Sequence, residues 1–154
     1  HWGIDTVSDE EVLRWACQLH EIGLTISHSQ YHKHGAYLLR YSDMAGFTQQ
    51  AQQELAVLVR GHRRKFATSI FDGIDPNDKE RLQYLCILVR LAVLIQHPRN
   101  MEPPPAFTLQ PRKNGLLLTF PEGWFDERPL TLADLINEQD YLAKQNFVLE
   151  LAGG

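Results

Sequence analysis

The sequence has few cysteines and no excess of positive charge. Its 154 residues include two cysteines, Cys17 and Cys86, both in apolar stretches with helical spacing. Two cysteines do not make a disulfide framework, so the composition favours a reducing compartment, and we expect a cytoplasmic protein. The formal net charge is −4. A general nucleic-acid binder would be basic, so we expect no nucleic-acid partner.

Long hydrophobic runs are also missing. The most apolar stretch, residues 82–95, is interrupted by Arg90 and is too short to span a bilayer. No signal-peptide pattern is found at the start, which lacks a methionine and has the composition of a loop. We therefore expect a water-soluble fragment of a larger protein.

The hydrophobic spacing predicts a mainly α chain, helical to about residue 97 and mixed afterwards. A stiff linker at residues 103–105 (PPP) separates a predicted helical domain, 1–102, from a small α+β subdomain, 103–154. The first predicted helix begins at a capping box formed by Ser8 and Glu11 and runs to residue 22, where Gly23 ends it. Further helices are predicted from residue 31, from 49 to about 64, and from 76 to about 96. The subdomain should hold a hairpin (106–110 and 116–120), a helix (131–144) and a closing strand (147–151).

Five histidines lie between residues 20 and 62: His20, His28, His32, His34 and His62. Neutral imidazoles and carboxylates together suit a divalent cation that activates water. Metal-dependent phosphohydrolases of the His-Asp (HD) type use an adjacent His-Asp pair in this way, and the pair here would be His20-Glu21. The alternative is that each histidine lies in a loop or at a helix end and bonds to backbone or water.

A second group of residues is basic. No acidic residue occurs between Leu55 and Phe71, whereas this segment contains Arg60, His62, Arg63, Arg64 and Lys65. Guanidinium groups bind phosphates through two parallel hydrogen bonds, so such a row suits a polyphosphate. The predicted helix would place Arg60, Arg63 and Arg64 as neighbours on one face. The alternative is that these cations only satisfy the dipole and carbonyls of the helix C-terminus.

Several segments resemble a known family. Residues 15–24 (WACQLHEIGL), 26–29 (ISHS), 31–37 (YHKHGAY) and 58–64 (LVRGHRR) resemble the C-terminal region of bacterial exopolyphosphatases, in the exopolyphosphatase/guanosine pentaphosphate phosphohydrolase family. Residues 120–125 (FPEGWF) are similar to that family's last subdomain. The basic residues around His62 favour the exopolyphosphatase branch.

The resemblance implies a division of labour. Actin-like N-terminal domains of the parent protein carry the catalytic carboxylate and Mg, so this region would have no cofactor of its own. The HD-like helical domain would help to hold inorganic polyphosphate or phosphate and to form a homodimer, with at most a peripheral membrane association of the parent. Matching positions make these residues the polyphosphate-binding candidates: Arg60, His62, Arg63, Arg64, Lys65, His32, Lys33 and His34.

The HD site would be degenerate and without metal, formed by His20, Glu21, His28 and Arg90. Active relatives carry a carboxylate where this chain has Val93, and valine cannot bind a metal. The first helix, with its histidine, would be missing. Arg90 lies in an apolar helix and needs an anion, which leaves two interpretations. It pairs with a structural carboxylate such as Glu21, or it supplies positive charge where active relatives hold the metal.

Two functions remain open from the sequence. The first is the polyphosphate-binding and dimerisation region of an exopolyphosphatase, which releases orthophosphate from chain ends. The alternative is a free-standing HD-type metal-dependent phosphohydrolase acting on a nucleotide or phosphate ester. The missing ligands favour the first, and we expect this chain alone to contain no catalytic residue and to be inactive.

Overall fold

The computed structural model describes residues 4, 7–96 and 106–154. The described residues up to Ala92 form one compact unit, and those from Val93 onward form a second. The predicted boundary after residue 102 and the linker at 103–105 lie outside the described residues. The fold is mainly α with a small α+β part, which confirms the predicted class. No helix in the described ranges combines the length and apolarity that crossing a membrane requires.

The first unit is built from helices alone. Its elements are α1 (Val7–Leu19), a 3₁₀ helix (Ile22–Thr25), α2 (Tyr31–Tyr41), α3 (Gln49–Gly61), a second 3₁₀ helix (Thr68–Phe71) and α4 (Pro76–Gln96), which continues into the second unit. Thr48 caps α3, because its hydroxyl accepts a hydrogen bond from the Ala51 amide at 3.0 Å. Pro76 begins α4, where its missing amide hydrogen costs nothing.

Two helices end earlier than predicted. Helix α1 ends at Leu19, so His20 and Glu21 follow the helix instead of lying in its last turn. Helix α3 ends at Gly61, and Arg64 has a left-handed backbone with φ of 66°. The expected single helical face for Arg60, Arg63 and Arg64 is therefore wrong, because the chain turns away before Arg63.

Gly23 allows two backbones to cross closely. A Cβ atom at this position would lie 1.9 Å from the Tyr31 carbonyl oxygen and 2.5 Å from the Gly35 amide nitrogen. No side chain fits at such distances, so the first 3₁₀ helix packs directly on the backbone of α2. This crossing places the residues that follow α1 beside the start of α2.

A buried ion-pair network joins three helices. Arg81 on α4 lies 2.5 Å from Asp9 on α1 and 2.5 Å from Glu54 on α3, and both carboxylates are buried. Burial disfavours the Arg81 charge, but the hydrogen bonds and charges of Glu54 and Asp9 outweigh it and raise its pKa. The two acids therefore pair with Arg81 within the helical unit.

The second unit contains a three-stranded sheet and a helix. Strand β1 (Thr108–Arg112) pairs antiparallel with β2 (Gly115–Phe120), and β3 (Val148–Gly153) pairs parallel with β2. Helix α5 (Pro129–Ala143) makes the crossover that a parallel pair requires. The predicted hairpin, helix and closing strand are all present. Strand β1 lies at the sheet edge with every residue exposed, and its Pro111 faces Leu116.

Candidate functional site

His62 is the centre of an aromatic cluster in the helical unit. Its side chain is buried, with 3% of the residue exposed. Three rings surround it at centroid distances of 5.2 Å for His20, 5.6 Å for Tyr31 and 6.5 Å for His32. The structure thus brings together histidines from the ends of α1 and α3 and from the first turn of α2.

His20 and His62 are held by the same local arrangement. Each is the first residue after its helix, and each Nδ1 bonds to the carbonyl oxygen three residues back, of Cys17 at 2.6 Å and of Val59. A carbonyl only accepts hydrogen bonds, so Nδ1 carries the proton in both rings. Each bond adds a side-chain donor at a helix end, and the Val59 carbonyl oxygen also accepts the His62 backbone amide at 3.4 Å.

The cluster favours uncharged imidazoles. Burial is the main cause that lowers the pKa of His62 to about 3. The hydrogen bond to Val59 raises this pKa, whereas the positive charges that His20, His32 and Arg63 can carry lower it further. Burial, followed by the charges of Arg63 and Lys33, lowers the pKa of His32 to about 4. Both rings are therefore neutral near pH 7 and can accept a hydrogen bond or bind a metal through a free nitrogen.

We expect the protein to lose stability as the pH falls below about 6.5, the pKa of an unperturbed histidine. The unfolded chain takes up protons there, whereas folded His62 does so only near its pKa of about 3. The stability that neutral His62 contributes is complete above pH 6.5 and decreases by about 2 kcal/mol at pH 5. Urea titrations between pH 7 and pH 5 measure this slope.

His62→Gln tests the assignment, since glutamine does not titrate but can still donate to Val59. We expect a shallower pH dependence of the unfolding free energy for this variant than for the wild type. His28→Gln, at an exposed position, is the matched control and should keep the wild-type slope. Equal slopes for all three proteins would contradict the role of His62.

Arg90 fixes the segment that follows α3. Its guanidinium is buried, with 1% of the residue exposed, and donates hydrogen bonds to the carbonyl oxygens of Gly61 at 2.6 Å and Arg64 at 2.5 Å. It also lies over the Phe66 ring at 5.5 Å. Arg90 thus binds backbone carbonyls, a role that neither sequence interpretation included. Its pairing with Glu21 stays a prediction.

Arg63 lies over the Tyr31 ring, with Cζ 4.3 Å from the ring centroid. Three buried side-chain atoms here have no hydrogen-bond partner within the ranges that the structure describes: Nη1 of Arg63, Nδ1 of His32 and Nε2 of His62. A buried donor or acceptor without a partner costs about 1 to 3 kcal/mol. A cation and two neutral imidazoles in this condition are suited to a polar ligand.

Four cations surround His32 closely enough to lower its pKa: Arg63, Lys33, Arg64 and Arg60. We call these four residues the basic cluster. Lys33, Arg60 and Arg64 are exposed, and Arg63 is half-buried. Lys65 is exposed beyond them, and His34 is half-buried on α2.

The structure brings some of the predicted HD residues close together and leaves others apart. Nε2 of His20 lies 3.7 Å from the Glu21 carboxylate. His28 is exposed, and its ring centroid lies 6.0 Å from that of Tyr31. Among the residues with described positions, no three His, Cys, Asp or Glu side chains are arranged to hold a metal ion. The absence of a bound metal stays a prediction.

Tyr31 is the residue that sequence reasoning missed. It contacts both His62 and Arg63. Its position one residue before His32, at the start of a helix, was a weak signal in itself. The contact arises from the close crossing at Gly23 and could not be read from spacing.

Neutral His32 and His62, buried beside arginine and lysine side chains, form a site that suits a polar or anionic ligand. Comparison with known families gives the assignment. Residues 1–139 match the family model described as "Ppx/GppA phosphatase, domain III". The chain belongs to the Ppx/GppA phosphatase family, as its sequence motifs predicted.

Two curated relatives carry the name guanosine-5'-triphosphate,3'-diphosphate pyrophosphatase. The protein from Pseudoalteromonas translucida (strain TAC 125) is 34% identical over 96% of this chain and 30% of its own length. The protein from Pseudoalteromonas atlantica (strain T6c / ATCC BAA-1087) is 35% identical over 88% of this chain and 27% of its own length. The chain thus spans less than a third of the relatives it matches. Both names belong to the branch that the basic residues did not favour.

Proposed function

We propose that this chain is the polyphosphate-binding and dimerisation region of an exopolyphosphatase that releases orthophosphate from the ends of inorganic polyphosphate. The observation that supports this proposal is the basic cluster around neutral His32. Positive side chains from α2, the end of α3 and the following segment are presented together, although the chain is acidic overall.

The geometry separates anion binding from helix capping. Arg63 and Arg64 lie beyond the end of α3, and the helix-end carbonyls of Val59 and Gly61 already receive hydrogen bonds from His62 and Arg90. These two arginines are therefore not needed as caps. A polyphosphate carries about one negative charge per unit, so a row of guanidinium groups binds it without reading a sequence.

We expect Arg63→Gln and Arg64→Gln each to weaken polyphosphate binding about three- to tenfold. Each change should also reduce the slope of log K against log salt by about one, since one fewer counterion is released. Titration of fluorescently labelled polyphosphate at several salt concentrations measures both. Stability should change by less than about 1 kcal/mol for exposed Arg64.

Arg112→Gln is the matched control, because Arg112 is an exposed arginine on β1 in the other unit. Equal loss of binding in this variant would show diffuse attraction and remove the proposed site. A fall in melting temperature with unchanged polyphosphate affinity would show that Arg63 and Arg64 have a structural role instead.

Hydrolysis is proposed to reside in the parent protein's other domains, with Mg. We expect this chain, with magnesium added, to release orthophosphate from polyphosphate or GTP only at background rate. We also expect less than a tenth of an equivalent of iron, manganese or zinc by elemental analysis of chelator-free protein. One equivalent of metal, with release abolished by His20→Ala, would instead support the free-standing HD-type enzyme.

The dimerisation part of the proposal rests on the family resemblance. A cytoplasmic location belongs to the same proposal.

A further inference from the structure

An open groove runs between α2 and α3 in the helical unit. It has a volume of about 460 Å³. Helix α2 lines it with residues that recur every three to four positions from Lys33 to Tyr41, and α3 does the same from Gln53 to Arg60. Such spacing describes one face of each helix, about two turns long. Two helix faces that meet in this way form a seat on which a third helix can pack.

The groove has an apolar floor. Ala36 of α2 and Ala56 of α3 are buried and small, so the backbone of an incoming helix can approach closely. Val57, Ile70 and Ile74 are half-buried and offer apolar surface beside them. An inorganic polyanion gains nothing from such a floor, whereas the apolar side chains of a protein are stabilised by leaving water there.

Two tyrosines form part of the rim of the groove. Tyr37 is 63% exposed and Tyr41 is 71% exposed, and their ring centroids lie 5.0 Å apart. The Arg40 guanidinium lies 5.7 Å from the Tyr41 ring centroid, so the rim combines aromatic surface with positive charge. Tyrosine and arginine are both enriched where proteins bind other proteins.

Positive charges lie at both ends of the groove. Gln52, near the start of α3, donates hydrogen bonds at 3.0 Å and 2.7 Å to two carbonyl oxygens in and just after the last turn of α2, so the two helices run antiparallel. Lys33 and Arg60 therefore share one end of the groove, and Arg40 lies toward the other, about 10 Å along α2 from Lys33. None of the described lining residues is an aspartate or glutamate.

We propose that this groove binds an acidic amphipathic helix of a partner protein. One carboxylate of that helix pairs with Lys33 and Arg60, a second carboxylate lies two turns along and pairs with Arg40, and large apolar side chains between them pack on the floor. In sequence, an acidic residue is followed by apolar residues three and four positions later and by a second acidic residue at seven. The inference goes beyond the proposed function and does not rest on it.

A second copy of this chain does not supply such a helix. Acidic residues seven positions apart occur only at Glu127 and Asp134 in this sequence. The two positions that should be apolar hold Leu130 and Thr131, of which Thr131 is polar and buried, and Glu127 precedes α5. We therefore assign the occupant to a different protein.

The probe is a synthetic alanine-based peptide of about fifteen residues, long enough to form a helix, with two glutamates seven positions apart and two leucines midway between them. The peptide carries a fluorophore and is titrated with this chain by fluorescence anisotropy. We expect saturable binding, and about tenfold weaker binding when both leucines are replaced by alanine. Replacing both glutamates with glutamine should also weaken binding about tenfold. These changes lie in the peptide, so they leave the fold of the protein intact.

Variants of the protein test which residues contact the peptide. Arg40→Glu should weaken binding about tenfold, and one of the two peptides in which lysine replaces a single glutamate should recover most of this loss. Val57→Thr places a hydroxyl on the floor and should weaken binding about threefold. Arg14→Glu, at an exposed position on α1 outside the groove, is the matched control and should bind the peptide as the wild type does.

Three results would overturn the inference. Equal binding of the leucine and alanine peptides would leave only diffuse attraction between charges. Unchanged binding in Arg40→Glu, or an equal loss in Arg14→Glu, would remove the proposed pairing with the end of the groove. A changed oligomeric mass of Arg40→Glu, with no saturable binding of the acidic peptide to the wild type, would replace the partner helix with a contact between copies of the chain.

The two proposals fail in different ways, because Arg63 and Arg64 do not line the groove. If Arg63→Gln and Arg64→Gln leave polyphosphate binding unchanged while the leucine and alanine peptides still differ, the proposed polyphosphate site fails and the groove stands. If these variants weaken polyphosphate binding while the two peptides bind equally, the groove fails alone.

Discussion

Gly23→Ala will lower the free energy of unfolding by more than about 3 kcal/mol. The added methyl group would meet the Tyr31 carbonyl oxygen at 1.9 Å and the Gly35 amide nitrogen at 2.5 Å. Inserting a methyl group against adaptable side chains costs about 1 to 3 kcal/mol. Here the obstacle is backbone on both sides, so α2 or the first 3₁₀ helix must move.

Urea denaturation with tryptophan fluorescence measures this loss, and Gly73→Ala is the matched control. A Cβ atom on Gly73 has no neighbouring atom within 4 Å in the described structure. The control should therefore stay within about 0.5 kcal/mol of the wild type. Because Tyr31 carries the contact with His62, Gly23→Ala should also weaken polyphosphate binding. A stable variant with unchanged binding would show that the helices do not cross as described.

Arg90→Met will cost about 3 kcal/mol and will loosen the segment carrying Arg63 and Arg64. Methionine keeps an unbranched apolar stem but lacks the guanidinium donors, so the Gly61 and Arg64 carbonyl oxygens lose the bonds from Arg90. A buried carbonyl without a partner, as at Gly61, costs about 1 to 3 kcal/mol, and the part-buried Arg64 carbonyl costs less. Removing a buried charge offsets part of this cost, so we expect a net loss of about 3 kcal/mol in the free energy of unfolding.

The measurement pairs thermal unfolding with amide hydrogen exchange. We expect faster exchange of the amides of residues 63–66 in Arg90→Met than in the wild type, at a temperature where both are folded. Arg14→Met is the control, since Arg14 is exposed and pairs with exposed Glu10 at 3.1 Å. Wild-type stability in Arg90→Met would show that the two carbonyl bonds contribute little.

Local sequence signals predicted the elements but not where two of them end. Thr48 and Pro76 lie at helix starts, and Lys113-Asn114 forms the hairpin turn, because caps and turns depend on neighbouring residues. The end of α3 depends on Arg90, whose bonds to Gly61 and to Arg64 in the following segment span 29 and 26 positions of the chain. Spacing along a helix carries no information about such a partner.

The candidate site shows the same limit. The sequence indicated the histidines and cations, and the structure brings His20, His32 and His62 together. It did not indicate that Tyr31 would join them, nor that Tyr37 and Tyr41 would form a groove with Arg40. Aromatic residues at helical spacing are more often core than surface, and only the packed helices show which side is uncovered.

Pro111 at the edge of the sheet affects how the molecule behaves at high concentration. An uncovered outer strand can recruit a strand from another molecule and start aggregation. Proline has no amide hydrogen to donate to an incoming strand, and the neighbouring Arg112 adds an exposed positive charge. Strand β1 is therefore a poor template for intermolecular β-pairing, and a preparation of this protein should resist fibrillar growth from that edge.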